Sequence, residues 1–124
     1  AYSPLVNLGG VLVNLGRFQE AVEVNREAVR RQPADALAHV QLGAALWGLG
    51  RSEEAIEHLR EAIRLDPDHF SHPQLLLAEI YAERSDRASA IRLLEDFLAR
   101  RPGSPEAPRV RKRLEQLKSA APGH

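Results

Sequence analysis

The stretch VQLGAALWGLGRSEEAIEHLREAIRLDP, residues 40–67, carries the unit from which the rest of the chain is built. Leu42, Leu46 and Leu49 recur at steps of three and four, and so do Ala55, Ile56, Leu59, Ala62 and Ile63. Each half therefore bears the apolar stripe of an amphipathic helix. Gly50-Arg51 separates the halves and Pro67 stops the second. The same marks stand 34 residues upstream: Leu8-Gly9 for Leu42-Gly43, Gly16-Arg17 for Gly50-Arg51, Glu20-Ala21 for Glu54-Ala55, Ala28 for Ala62 and Pro33 for Pro67. A third copy follows at an offset of 35, with Leu77-Ala78, Ala90, Phe97 and Pro102. The extra residue falls between Pro67 and Pro73, a turn-rich segment where an insertion costs little closure entropy. Three copies at this spacing are an internal repeat.

The outer copies show the same two stripes. Leu5, Leu8, Leu12 and Leu15 make the first, and Ala21, Val24, Ala28 and Val29 the second. In the third copy they are Leu77, Ile80 and Tyr81, then Ala90, Ile91, Leu94, Phe97 and Leu98. Ser3-Pro4, Ser52, Ser71 with Gln74, Asp86 and Ser104-Pro105 suit helix N-termini. The pattern predicts helices at about 4–15, 18–31, 35–49, 53–65, 72–84, 87–100 and 106–119. No stretch alternates as a strand does, so the expected class is all-α.

With Leu8-Gly9, Leu12, Ala21, Ala28 and Pro33, and their counterparts through Tyr81, Ala90, Phe97 and Pro102, residues 2–102 resemble the tetratricopeptide repeat. The resemblance implies an α-solenoid of seven helices wound as a right-handed superhelix. Its repeats would span 2–35, 36–70 and 71–105, in a single domain covering 1–124. Small residues Gly9, Gly43 and Ala78 would let the two helices of a repeat approach closely, with Ala21, Ala55 and Ala90 opposite them. His39 and Gln74 depart from the family's Trp, and Asn25 from its aromatic. In the last helix Val110, Leu114 and Leu117 keep an apolar stripe, but Arg113 takes the small-residue slot. Residues 106–119 are therefore expected to cap the array and present a polar outer side. The first helix has no such cap, and residue 1 is not Met, so a fragment of a longer protein is expected.

Composition narrows the function. The 124 residues hold 17 basic and 17 acidic side chains, leaving no net field to attract nucleic acid or an anionic membrane. Neither partner is expected. No apolar run approaches the ~20 residues of a membrane helix. The absence of cysteine excludes disulfides, thiol nucleophiles and Cys-based zinc sites. It leaves the compartment undetermined, with cytoplasm as the default and periplasm the alternative. Fifteen arginines against two lysines fit a GC-rich, bacterial genome.

Candidate chemistry is sparse. Asp66, Asp68, His69 and His72 cluster in one loop but are the ordinary composition of a polar turn, so no metal is expected. His39 is expected between helices and His58 on an outer face, neither with triad spacing. Glu79 and Glu83 share a helix face without an acid partner. The basic run Arg109 to Arg113 lacks interleaved aromatics and reads as the solvated face of the end helix. There is no phosphate loop. No catalysis and no cofactor are expected.

The resemblance points instead to a groove lined by the first helix of each repeat. It implies Ser3, Val6, Asn7, Gly10, Val13 and Asn14 from the first, then Leu37, Val40, Gln41, Ala44, Trp47 and Gly48 from the second. The third would add His72, Leu75, Leu76, Glu79, Ala82 and Glu83. The Lys/Asn/Arg carboxylate clamp of chaperone-tail-binding members is absent, since Val6, Gly10, Gln41, His72 and Leu76 stand at its positions. Asn7 and Gln41 resemble the amide ladder of the O-linked N-acetylglucosamine transferase superhelix, which Leu76 interrupts. Amides donate and accept at once, which suits a peptide backbone of any sequence. Trp47 would anchor the ligand, with room beside Gly10 and Gly48. The expected function is a non-catalytic protein-interaction scaffold taking a peptide segment. The alternatives are a substrate-recruiting or regulatory arm of a larger enzyme such as a glycosyltransferase, and a self-assembly domain. The isolated chain is expected to be monomeric, with self-stacking through the N-terminal end as the route to assembly.

Overall fold

The computed structural model describes residues 3–119. Seven helices and no strands occur among the described residues: α1 (Pro4–Asn14), α2 (Phe18–Arg31), α3 (Ala36–Gly48), α4 (Ser52–Leu65), α5 (Pro73–Glu83), α6 (Arg87–Arg100) and α7 (Ala107–Ser119). Ser3 caps α1, its hydroxyl accepting from the Val6 N–H at 3.3 Å, with Pro4 in the first turn. Asp35, which the sequence signals did not single out, caps α3 through Leu37 and Ala38. Asp86 caps α6 through the Ser89 N–H. Ser52 is not a cap: it lies inside α4, whose N-cap is Arg51 with no side-chain hydrogen bond. Ser71 bonds His69 instead, and α5 starts at Pro73.

The turns within the repeats are copies of one another. Arg17 N–H donates to Leu12 O, Arg51 to Leu46 O and Asp86 to Tyr81 O, each at 2.9 Å. A bond of shorter sequence span nests inside each, from Gly16 to Val13 O, Gly50 to Trp47 O and Ser85 to Ala82 O. This is the helix-ending motif that requires a left-handed residue. Gly16 and Gly50 supply it with φ of 75° and 78°, while Ser85 adopts 64° without a glycine's freedom. Pro33, Pro67 and Pro102 each follow a helix C-cap residue, where a chain without an N–H cannot extend the helix.

The chain forms two compact units, the first ending at Pro73 and the second beginning at Gln74. In the first, α3 packs against α4, α2 and α1, and α1 against α2. Ala21, Leu46, Ala55, Leu59 and Ala62 are completely buried, and Leu42 nearly so. The small-residue slots are tight. A Cβ on Gly43 would lie 2.8 Å from Leu59 Cγ and 3.3 Å from the Ala55 carbonyl oxygen, and one on Gly9 would strike the Asn25 amide at 2.2 Å. In the second unit α6 packs on α7, where Ala90, Leu94 and Phe97 meet Val110 and Leu117, with Leu98 and Leu114 at the margin. The polar side of α7 is turned outward: Arg109, Arg111, Lys112, Glu115 and Lys118 are exposed.

Candidate functional site

The face shared by α1 and α3 is held together by amides. Asn25 occupies the slot that Leu59 fills one repeat later, and it is fully buried. A buried amide is tolerated only when its groups are paired. The Asn25 Nδ2 donates to Ala21 O at 2.9 Å, and its Oδ1 accepts from Gln41 Nε2 at 2.9 Å. Gln41 Nε2 also donates to Val6 O at 2.9 Å. Both Gln41 amide hydrogens are thus committed inside the fold, and only its carbonyl oxygen is left to meet a ligand. That oxygen lies 2.8 Å from where a Gly10 Cβ would sit, so the space beside Gly10 is occupied by Gln41. Likewise the expected room at Gly48 is filled by the Phe18 ring, 2.6 Å from a would-be Cβ. The amide ladder expected from Asn7 and Gln41 is corrected accordingly: Gln41 joins α1, α2 and α3. Partnerships between elements leave no mark in sequence spacing, although a polar residue at the Asn25 position was a visible departure.

The remaining expected lining residues of the first unit divide by exposure. Val6 is 2% exposed and packs with Ala28 and Ala38, and Val40 is also buried. Asn7 and Asn14 are exposed, and Gly10, Val13, Gln41, Ala44 and Trp47 are partly so. In the second unit Leu75, Leu76 and Glu79 are partly exposed. Glu79 is engaged by the Arg113 guanidinium at 2.8 and 3.2 Å, so Arg113, the residue that breaks the repeat pattern, ties α7 to α5.

Two histidines meet between α3 and α4. His39 is buried, and its Nε2 lies 2.8 Å from Pro33 O, a carbonyl that can only accept. The proton is therefore on Nε2, and Nδ1 accepts from His58 Nδ1 at 3.1 Å. The rings stack with centroids 5.4 Å apart. Burial, then the neighbouring His39 and Arg26, hold the His58 pKa below its ordinary value, with Glu57 and Glu54 pulling the other way. His58 thus faces inward across the repeat rather than standing on an outer face.

The loop cluster is spent on its own turn. Asp66 Oδ1 accepts from the Asp68 N–H at 3.2 Å, and His69 Nδ1 lies 2.7 Å from Ser71 Oγ. His69 also stacks on Phe70. Among the described residues no group of three or more His, Asp or Glu is arranged to hold a metal ion, and no helix is long and apolar enough to cross a membrane.

Family models of the tetratricopeptide repeat match residues 6–70 and 46–114. No curated protein matches by sequence. Among solved structures, the fold is similar to the type III secretion translocator chaperone SycD of Yersinia enterocolitica, with TM-score 0.85 and 21% identity over 92% of this chain and 81% of that one. It is similar also to PcrH in complex with the chaperone-binding region of PopD, with TM-score 0.85 and 21% identity over 93% and 89%. The second such domain of human RPAP3, bound to an HSP70 peptide, gives TM-score 0.78 and 21% identity over 92% of each chain. At these identities the likeness concerns the fold, an all-α helical-repeat solenoid. With the family models covering more than half of its length, the chain belongs to the tetratricopeptide-repeat family.

Proposed function

We propose that this chain is a non-catalytic scaffold that binds a peptide segment of a partner protein along the face of α1 and α3 bearing Val13, Asn14, Ala44 and Trp47. Three repeats at 2–35, 36–70 and 71–105, closed by a cap at 106–119, make up the array that carries it. The observation behind this reading is Trp47, a large ring on α3 left partly exposed. Interface hot spots favour Trp in such apolar settings. The bound peptides of PcrH and RPAP3 support the ligand class. Asn7 and Asn14, whose side chains stand exposed, take the backbone-bonding role that Gln41 fills only through its oxygen.

The test is selection of 12-residue peptides from a displayed library on the purified chain, followed by titration of the selected peptides. Trp47→Ala is expected to weaken them by about 2 kcal/mol, roughly 30-fold, with little change in melting temperature. Binding should shift the emission of this one indole, survive amidation of the peptide's C-terminus, and change little with salt because no basic clamp is present. Peptides that bind Trp47→Ala as tightly as the native chain, without moving its emission, would place the site elsewhere.

A further inference from the structure

The turn after α4 uses only one edge of each of its polar groups, and the other edges open on one depression. It measures about 340 Å³ and is lined by Asp35 and Leu37 at the start of α3, by Leu65 and Asp66 at the end of α4, and by His69. All of these residues belong to the first unit. Asp35 spends Oδ1 on the Leu37 and Ala38 N–H groups, and Asp66 spends Oδ1 on that of Asp68. Neither Oδ2 has a partner among the described residues, and both residues are partly exposed. His69 adds a donor to these acceptors. It is 6% exposed, and its Nδ1 accepts from the Ser71 N–H at 3.2 Å, so the ring proton is on Nε2. No described residue accepts from that N–H, yet the nitrogen is not sealed from solvent. A ring so deeply buried, with one donor left for the solvent side, is placed to meet a ligand's acceptor. Phe70 stacks on it with centroids 4.4 Å apart and is itself 64% exposed.

We propose that this depression binds an arginine side chain of a partner protein. Two carboxylates line it, and no Lys or Arg does. The last carbonyls of α4, whose C-cap is Asp66, add the negative end of the helix dipole. The field is therefore that of a cation site with several acceptors. A guanidinium presents five N–H donors in a planar fork and so addresses two carboxylates at once, whereas an ammonium is a compact point charge. Its plane and stem have the exposed Phe70 ring to lie on. The His69 Nε2–H then donates to a carbonyl of the ligand's own backbone, which makes the ligand an arginine within a peptide. A bare metal ion would leave that N–H facing a positive charge. Leu37 and Trp47 stand about 15 Å apart along α3 at the rise of an α-helix. The depression and the peptide-binding face around Trp47 are thus different surfaces, and neither reading depends on the other.

The probe is the capped tripeptide acetyl-Gly-Arg-Gly-amide, titrated onto the full chain by heteronuclear NMR at low salt. Its citrulline counterpart, of the same shape without the charge, is the comparison. Saturable shifts are expected, centred on the amides of Asp35, Asp66, His69 and Phe70, with the citrulline peptide about 10-fold weaker. Added salt should weaken the arginine peptide as well. Asp35→Asn and Asp66→Asn each remove a charge, while asparagine still serves the helix cap and the turn. Each should weaken the arginine peptide by about 5-fold and keep the native melting temperature. Phe70→Ala, at an exposed position, should weaken it too, and Trp47→Ala should have no effect. Equal binding of the citrulline peptide overturns the proposal, as does binding that both Asn variants leave intact. Shifts centred elsewhere on the chain, or no saturable shift at all, overturn it as well.

Discussion

His58 is where pH reaches the fold. Its pKa is lowered in the folded chain, first by burial and then by His39 and Arg26, so the folded state resists a proton that the unfolded chain accepts near pH 6.5. The stabilising contribution is therefore complete above about pH 6.5 and declines as the pH falls from there towards the folded value. Urea unfolding should accordingly give a lower midpoint at pH 5.5 than at pH 7.5, and His58→Gln should flatten that part of the profile. An unaltered slope in the variant would assign the pH dependence to other groups. Asn25 shows the complementary case of a neutral polar residue that is buried without penalty because both halves of its amide are paired.

At the scale of the element, α7 is a covering helix by its contacts and by its two faces. Val110 and Leu117 are buried against Leu94 and Phe97, while arginines and lysines fill the other side. Removing residues 105–124 should expose Leu94, Phe97 and Leu98. Each large apolar side chain returned to water costs on the order of 1.5–3 kcal/mol, a substantial part of a domain's net stability. The truncated chain is expected to melt at a lower temperature and to aggregate, as followed by circular dichroism and light scattering. A monomer with unchanged melting would contradict the capping role. The helix also bears Arg113 and Lys118, which pair with Glu79 and Glu95, so its basic run is partly neutralised by its own unit.

Over the whole molecule, 17 positive and 17 negative side chains balance, and many alternate along helix surfaces as close pairs. Arg17–Glu20 recurs as Arg51–Glu54, and Glu27–Arg30 as Glu61–Arg64. Such exposed pairs add little stability individually. Their effect is to leave no extended field of one sign for a polyanion to follow. Random-sequence duplex or single-stranded DNA should thus bind more weakly than micromolar at physiological salt in an anisotropy titration. Tighter binding whose logarithm falls linearly with log salt, by about 0.9 per phosphate contact on duplex, would refute this. So would its loss on replacing Arg109, Arg111, Lys112 and Arg113 together.

The helices, their order and the repeat were legible in the sequence, because periodic stripes, left-handed turn residues and terminating prolines act over a few neighbouring positions. Leu42 with Gly43, Gly50 with Arg51, and Pro67 say as much in one copy as their counterparts do in the next. Pairings between elements became visible only in the folded chain. Gln41 looks like a free groove amide in the sequence and is tied to Val6 and Asn25 in the fold. His58 looks like an outer-face residue and stacks on His39. Leu8 and Leu42 are the same residue in the same motif, yet one is half exposed and the other buried. Identical local sequence produces identical helices, but burial and hydrogen bonding depend on which neighbour the chain brings alongside, and position within the stack sets that neighbour.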